Sequence, residues 1–149
     1  MRAVVQRVAQ ASVTVDEQVV GKIQAGLLVL LAVSPTDGEK EAQWLASKLT
    51  RLRIFNDAHG KMNLSVQDTK GEMLIVSQFT LYGNCRKGNR PSFVASAGPE
   101  VAEPLYERFA DIVASLGVPV ARGRFGANMA VSLLNDGPVT VLVDTPDKL

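Results

Sequence analysis

An uninterrupted apolar run near the start of the chain limits the possible folds more than any other feature. Residues 26–33, Gly-Leu-Leu-Val-Leu-Leu-Ala-Val, include no polar side chain. The run is far shorter than the roughly 20 residues that a membrane helix needs. Its length and composition suit a β-strand that is covered on both faces. We therefore expect a sheet with a further layer packed on each side of it.

Two segments with helical spacing and several strand-sized segments complete the pattern. Apolar residues recur at helical spacing over residues 39–52 and again over 99–116, where Gly117 ends the second pattern. The other strand-sized segments, separated by turn residues, are 4–8, 12–15, 18–23, 62–66, 73–81, 118–120, 129–134 and 139–143. These elements predict a β-rich α/β fold in a single domain, residues 1–149, with helices on one side of the sheet. The other side then needs another layer or a partner chain.

Composition narrows the class of protein. With 46% hydrophobic and 21% charged residues, the chain is neither disordered nor fibrous. Cys85 is the only cysteine, so no internal disulfide can form, and a reducing compartment fits. Residues 1–8 alternate polar and apolar side chains and lack the apolar core of a signal peptide. We expect a cytoplasmic protein with no membrane partner.

Several common catalytic and cofactor-binding patterns are missing from the sequence. His59 is the only histidine, and it lies in a glycine turn, which argues against a Ser-His-Asp triad. One cysteine and one histidine without paired carboxylates argue against a metal site. Neither a Walker-type nor a dinucleotide-type glycine loop occurs. We therefore expect no cofactor and no metal, so catalysis must use backbone groups, hydroxyls or the substrate itself.

Two segments carry polar or basic residues in positions that suggest a site. Val76-Ser-Gln-Phe-Thr-Leu81 begins as a buried strand and turns polar at its end, where backbone amides are free of the ladder. An ordinary strand end would give the same pattern. The loop that follows contains Arg86, Lys87 and Arg90, while the net charge of the whole chain is only +1. On charge alone, we expect an ordinary solvated surface loop. The alternative is that the loop binds a phosphate-bearing partner.

Two further segments are unusual in their backbone. In Gly123-Arg-Phe-Gly-Ala-Asn-Met129, the two glycines allow the backbone to approach another group closely. In Asn135-Asp-Gly-Pro138, the first three residues are typical of a hairpin turn between two strands. The proline is unexpected there, because proline cannot donate to a strand ladder and cannot rotate about φ.

Taken together, these segments resemble the D-aminoacyl-tRNA deacylases. The resemblance runs from Met1 to about Val143 and includes two departures, Asn128 in place of aspartate and Gln24 in place of glycine. The matching motifs, in chain order, are Met1-Arg-Ala-Val-Val-Gln-Arg-Val8, Leu52-Arg-Ile-Phe55, Gly60-Lys-Met-Asn-Leu64, Val76-Ser-Gln-Phe-Thr-Leu81, Arg90-Pro-Ser-Phe93, Gly123-Arg-Phe-Gly-Ala-Asn-Met129 and Asn135-Asp-Gly-Pro-Val-Thr140.

The resemblance implies a homodimeric hydrolase that cleaves the ester bond between a D-amino acid and the 3′ end of tRNA. It implies glycine mischarged on tRNA(Ala) as a second substrate, and no DNA partner. It also implies a layered β/β/α fold with mixed sheets and two main helices. The family uses a cis Gly-Pro pair as a chirality filter across the dimer interface, which corresponds to Gly137 and Pro138. A wall of aligned carbonyl oxygens would admit the α-hydrogen of a D-amino acid and reject the Cβ of an L-amino acid.

The same resemblance implies a set of site residues. The expected catalytic residues are Ser77, Gln78, Phe79 and Thr80, whose backbone amides are candidates for an oxyanion hole. Phe79 is expected to stack on the terminal adenine, and the 2′-hydroxyl of the terminal ribose, rather than Thr80, is expected to assist the attack. The expected substrate-binding residues are Gly137, Pro138, Phe125, Met129 and Arg7. The expected tRNA-binding residues are Arg86, Lys87 and Arg90. A non-catalytic RNA-binding module and a dimeric scaffold remain alternatives.

Overall fold

The strands form one six-stranded sheet and a separate two-stranded ribbon in a computed structural model that describes residues 1–149. The strands are β1 (Arg2–Val15), β2 (Gln18–Ile23), β3 (Gly26–Ala32), β4 (Phe55–Asn56), β5 (Met62–Leu64), β6 (Glu72–Ser77), β7 (Val120–Arg122) and β8 (Ala130–Asp144). The helices are α1 (Glu39–Arg51) and α2 (Pro99–Ser115), and a short 3-10 helix spans Phe79–Tyr82. In the large sheet the order is β2-β1-β3-β6-β7, and β8 pairs with β1. Neither α-helix is long and apolar enough to cross a membrane.

The length of β1 allows the sheet to fold over on itself. Its first half pairs with β3, its second half pairs with β2, and β8 runs antiparallel to it along nearly its whole length. Strand β2 then comes back against β7, where Gly21 lies so close to the Arg122 carbonyl that an added Cβ would overlap the oxygen. The sheet is therefore nearly closed. The part that contains β2 and the second half of β1 forms a second β layer.

Two apolar clusters fill the two faces of the central strands. The larger contains 24 buried residues and lies between the sheet and the helices, with Leu45 of α1 and Phe109 of α2 fully buried. The smaller contains 8 residues and lies between the two halves of the folded sheet, with Leu28 and Leu74 facing Val13. The predicted mixed α/β fold with two helices and a central strand covered on both faces is confirmed. The second layer comes from the same sheet, not from a separate one.

Both helices connect parallel strands. β3 runs parallel to β6 and β6 runs parallel to β7, with α1 and α2 in the two crossovers. Crossovers of one hand place their helices on the same face of a sheet. The carboxyl ends of β3 and β6 consequently meet at one edge, with Leu31 beside Ser77. In sheets of this kind, that edge is where ligands bind.

The last strand corrects the sequence prediction. We expected a turn between two strands, but β8 is continuous and pairs with β1 on both sides of the predicted turn. The register passes from Gln6 paired with Thr140 to Val8 paired with Asn135, so four residues of β8 face Arg7 alone. These four residues, which include the Gly-Pro pair, form an extended β-bulge. A bulged segment donates nothing to the ladder, so a proline is tolerated in it.

Candidate functional site

A cavity of about 550 Å³ opens at the carboxyl ends of β3 and β6. Of its 18 lining residues, 12 are hydrophobic, and a mainly apolar wall with a few polar groups is typical of a small-molecule site. The lining residues come from the ends of β3 and β6, from the start of α2 and from the loop before β8: Leu31, Ala32, Val33, Val76, Ser77, Gln78, Phe79, Phe93, Ser96, Ala97, Gly98, Pro99, Ala102, Phe125, Gly126, Ala127, Met129 and Val131.

Three of the four expected catalytic residues, Ser77, Gln78 and Phe79, line this cavity. Strand β6 ends at Ser77, earlier than the sequence predicts, and the chain then turns into the 3-10 helix. The Gln78 N–H donates to the carbonyl of Leu31 on β3 at 2.8 Å. This amide is therefore engaged in the fold, and it does not serve the oxyanion hole that we expected it to join.

The amides available at this strand end are those of Phe79 and Thr80. The first hydrogen bond of the 3-10 turn runs from the Leu81 N–H to the Gln78 carbonyl at 3.2 Å. Amides that precede the first bond of a helical turn have no partner within it. Gln78 is thus removed from the expected set of oxyanion donors, and the N–H groups of Phe79 and Thr80 remain in it as two neighbouring donors beside the cavity.

Thr80 lies outside the cavity lining and is exposed. Its Oγ1 accepts a hydrogen bond from the side-chain amide of Gln78. An amide NH2 group cannot remove a proton from a hydroxyl, so this contact orients Thr80 without activating it as a nucleophile.

Two aromatic rings meet at the mouth of the cavity. The rings of Phe79 and Phe93 are 5.2 Å apart between centroids and inclined at 77°, an edge-to-face pair. Phe79 is 54% exposed, so a face of its ring remains open for stacking. Phe93 was not among the expected site residues, although it ends the Arg90-Pro-Ser-Phe93 motif.

Phe125 and Met129 line the opposite wall, as the resemblance led us to expect. Their loop is attached to β6, because the Ile75 carbonyl accepts both the Gly123 N–H at 3.0 Å and the buried Tyr106 hydroxyl at 2.7 Å. Burial raises the pKa of Tyr106 to about 12, so its hydroxyl remains a neutral donor. An added Cβ at Gly123 would come within 2.7 Å of the Met129 sulfur, so the Met129 side chain would have to shift in the cavity wall.

Ser96 is a polar residue of the wall that the sequence analysis missed. Its hydroxyl is buried and has no hydrogen-bond partner, while its N–H donates to the Phe93 carbonyl at 3.0 Å. A serine in a loop carries no periodic signal, so only the three-dimensional structure brings it to the cavity. Its hydroxyl is one more group that can bond to a ligand.

The remaining expected substrate-binding residues, Gly137, Pro138 and Arg7, do not line this cavity. Arg7 is paired with Leu27, four residues before Leu31 on β3, which corresponds to about 13 Å along the strand. The Gly137–Pro138 peptide bond is cis, and both residues are exposed. Within one chain, the bulge and the cavity therefore lie towards opposite ends of the central strands.

Arg7 braces the bulge and not the cavity, which corrects its expected position. Its side chain is buried; Nε donates to the Asp136 carbonyl at 2.9 Å and Nη1 donates to the Ile54 carbonyl at 2.7 Å. Asn135 completes the brace, because its side-chain amide donates to the carbonyls of Arg7 and Val139 at 3.0 Å each. The segment that presents Gly137 and Pro138 is thus tied to β1 from both sides.

The expected tRNA-binding residues, Arg86, Lys87 and Arg90, are all exposed on one loop. Two hydrogen bonds between Asn84 and Ser92, at 2.8 and 3.0 Å, close the base of this loop. None of the three cations takes part in an ion pair within the chain. Because the next residue after Ser92 lines the cavity, the loop places free positive charge beside the cavity mouth.

Comparison with known proteins finds similar proteins over nearly the whole chain. The family model described as D-Tyr-tRNA(Tyr) deacylase matches residues 4–144. A D-aminoacyl-tRNA deacylase of Desulfatibacillum aliphaticivorans is 59% identical over 145 residues, which cover 97% of this chain and 99% of that protein. One of Thermotoga petrophila is 55% identical over 145 residues, with 97% of each chain covered. The solved structure of a c-Myc DNA Unwinding Element Binding Protein superposes with a TM-score of 0.93 at 42% identity, covering 98% of this chain and 99% of that one.

Proposed function

The chain belongs to the D-Tyr-tRNA(Tyr) deacylase family, and from that premise we propose that it hydrolyses the ester bond between a D-amino acid and the 3′ end of tRNA. The observation that carries this proposal is the cavity at the ends of β3 and β6, where Ser77, Gln78 and Phe79 meet Phe125 and Met129. Relatives at 59% and 55% identity over nearly the full chain carry the name of this activity. The enzyme is thus proposed to remove D-amino acids that have been attached to tRNA in error.

In the proposed reaction, the chain binds the ester and stabilises the charge that develops on its carbonyl oxygen. The N–H groups of Phe79 and Thr80 are the proposed donors to that oxyanion, and such donors are often the largest single contribution to acyl-transfer catalysis. Water adds to the carbonyl carbon with assistance from the 2′-hydroxyl of the terminal ribose. The bond from that carbon to the 3′ oxygen then breaks, and the oxygen leaves with a proton, which gives free D-amino acid and intact tRNA.

The open face of the Phe79 ring is proposed to hold the terminal adenine. Unpaired bases of RNA commonly stack on exposed aromatic rings, and Phe93 fixes this ring through the edge-to-face contact. The loop cations Arg86, Lys87 and Arg90 are proposed to contact phosphates near the 3′ end, because they are exposed and free of ion pairs.

Selection of D-amino acids is assigned to Gly137 and Pro138 of a second copy of the chain. Backbone atoms at that position would reject any L side chain without reading its chemistry. Glycine has no side chain to reject, so glycine mischarged on tRNA(Ala) is proposed as a second substrate. Within one chain, the bulge lies about 13 Å along the strand from the cavity. We therefore assign the filter to the bulge of a second copy.

Strand β8 supports a homodimer. It lies at the edge of the sheet, it spans 15 residues, and it exposes Leu133, Leu134 and Leu142 to solvent. A long apolar edge is a template for pairing with another chain, and soluble monomers avoid one. The bulge that carries Gly137 and Pro138 is part of this same strand, so pairing there would bring the bulge into the interface.

The dimer is tested by placing charge on the exposed edge. In the double variant Leu134→Glu and Leu142→Glu, where both side chains are 57% exposed, we expect a species of one chain, 16.0 kDa, and loss of D-ester hydrolysis. Two buried like charges across an interface cost several kcal/mol. The mass is measured by light scattering after gel filtration. The control, Val19→Glu with Met62→Glu, changes two apolar residues of similar exposure outside β8 and should stay dimeric. A wild-type monomer with full activity would contradict the proposal.

The activity itself is tested by following release of amino acid from D- and L-aminoacyl-tRNA by the purified protein. We expect the D-ester to be cleaved and the L-ester to be spared. In Pro138→Ala the ring that fixes φ is lost, and we expect the D-to-L rate ratio to fall about tenfold or more, or about 1.4 kcal/mol of discrimination. Pro146→Ala, at another exposed proline, should keep the wild-type ratio. Equal decay of both esters with the wild-type protein would rule out a chirality filter.

A further inference from the structure

A second cleft, of about 390 Å³, lies at the C-terminal end of α1. We call it the α1 cleft. Its lining residues are Trp44, Ser47, Lys48, Arg51, Leu52 and Arg53. Three of these six side chains are cationic and none is acidic, so the cleft has a strong local positive charge in a chain whose net charge is only +1.

The cations of the α1 cleft are not neutralised within the chain. Lys48, Arg51 and Arg53 are exposed, and none of them forms an ion pair. The pKa of Asp68 is lowered mainly by hydrogen bonds from Ser65, whose N–H donates to it at 2.8 Å, and the charge of Arg53 is the smallest contribution. In contrast, four arginines that belong neither to this cleft nor to the loop at the cavity mouth are ion-paired. They are Arg2, Arg7, Arg108 and Arg122.

Short contacts hold these cations in place. Arg51 donates from Nε to the Ser47 carbonyl at 3.2 Å and from Nη2 to the Ser47 hydroxyl. Arg53 donates from Nε to the Asn63 carbonyl at 2.9 Å, and Lys48 Nζ lies 5.2 Å from the centroid of the Trp44 ring. A guanidinium has five N–H donors, so both arginines retain donors for a ligand. Positions that are already fixed lose less side-chain entropy when a ligand binds.

We propose that the α1 cleft binds the phosphate backbone of RNA and, resting on the proposed function, that this RNA is the tRNA body of the substrate. Fixed guanidinium groups match the geometry of phosphate oxygens, and unpaired cations release counterions from nucleic acid. The two apolar side chains of the cleft, Trp44 and Leu52, are half-buried against the core, so the groups that the cleft offers to a ligand are mainly its cations.

Within one chain, the cleft lies far from the cavity. The chain leaves the cavity wall at Val33 and enters α1 at Glu39, and the 13 residues of α1 extend about 20 Å towards the cleft. The cleft lies on the side of the bulge, because Arg53 is followed by Ile54, whose carbonyl accepts Arg7 Nη1. A phosphate contact that does not touch the reacting carbon strengthens binding of substrate and transition state equally, so its loss raises KM and leaves kcat unchanged.

The test is the triple variant Lys48→Gln, Arg51→Gln and Arg53→Gln, assayed on D-aminoacyl-tRNA and on a D-aminoacyl ester of adenosine that lacks the rest of the tRNA. We expect KM for the tRNA substrate to rise roughly tenfold or more at unchanged kcat, with no change for the adenosine ester. The slope of log Kd for uncharged tRNA against log salt concentration should fall by about 2, because each lost phosphate contact removes about 0.7–0.9.

A matched control separates the cleft from the overall charge. The variant Lys40→Gln, Lys70→Gln and Lys148→Gln removes three exposed cations outside the α1 cleft, and its KM should stay within about twofold of wild type. Wild-type tRNA binding by the cleft variant, or an equal loss in the control, would overturn the proposal while leaving ester hydrolysis intact. If the wild-type protein cleaves no D-ester but its tRNA binding depends on the three cleft cations, the proposed activity is wrong and RNA binding by the cleft stands.

Discussion

Replacing Ala127 by tryptophan is expected to lower the hydrolysis of D-aminoacyl-tRNA by about two orders of magnitude, since displacing a substrate by even 1 Å can cost that much. Ala127 is half-buried and lies in the cavity wall between Phe125 and Met129. An indole ring at this position enters the space of about 550 Å³ that the aminoacyl group and the terminal adenosine would occupy. The Ala127 φ is not positive and its N–H donates to the Arg124 carbonyl at 3.2 Å, so the backbone accepts a larger side chain.

The rate is measured under single-turnover conditions, together with the thermal midpoint of unfolding. Ala58→Trp is the control, because Ala58 is exposed in the turn between β4 and β5 and does not line the cavity. We expect the control to keep the wild-type rate. Full activity in Ala127→Trp would show that the ester is cleaved somewhere else on the protein.

The substitution Gly26→Ala is expected to lower the free energy of unfolding by about 3 kcal/mol or more, at the upper end of what overpacking costs. Gly26 begins β3 and pairs with Val8 on one side and Glu72 on the other. An added Cβ would overlap the Glu72 carbonyl oxygen and come within 2.7 Å of the Glu72 nitrogen. Both atoms belong to the β6 backbone, so they cannot move aside without separating two parallel strands in the centre of the sheet.

Urea denaturation followed by circular dichroism measures this loss, provided that the slope of the transition is unchanged. Gly38→Ala is the matched control. At Gly38 the backbone is extended and an added Cβ meets only the Glu41 carboxylate, at 3.7 Å. The control should lose no more than about 1 kcal/mol, the usual cost of alanine at a helix N-cap. If Gly26→Ala also lowers the free energy of unfolding by less than about 1 kcal/mol, β3 and β6 are less closely paired than the geometry indicates.

The elements that the sequence predicts best are those whose signal is local. The run at residues 26–33 reads as a strand covered on both faces, and in β3 only Leu30 is partly exposed. Helix α2 is similarly marked by Pro99 at its first position and by Gly117, which has a φ of +89°, after its end. Burial and caps of this kind depend on residues within one or two turns of each other.

The Gly-Pro segment shows where local reasoning is insufficient. The residues Asn-Asp-Gly favour a turn whether the chain reverses into a hairpin or bulges out of a continuous strand. The outcome depends on β1, whose Arg7 and ladder partners hold the chain in register on both sides of the bulge. No feature of residues 130–144 alone distinguishes the two cases.

The residues of the candidate site were likewise predicted only in part from the sequence. Sequence motifs located Ser77, Gln78 and Phe79 on one wall of the cavity and Phe125 with Met129 on another. They did not reveal Ser96, and they did not show which amides at the strand end are engaged. The Gln78 amide is bonded to Leu31, a residue on another strand, and this partner cannot be read from the segment that contains Gln78.

By itself, the sequence determined the two helices, the positions of most strand segments, the apolar core and the family, because hydrophobic periodicity, turn residues and motifs all act over short distances along the chain. Only the tertiary structure decided that the last strand is continuous, that Arg7 braces the bulge, and that the bulge and the cavity lie towards opposite ends of the central strands. The contact between Arg7 and Asp136 joins residues 129 positions apart. Contacts of that range exist only after β8 has paired with β1, so no local pattern encodes them.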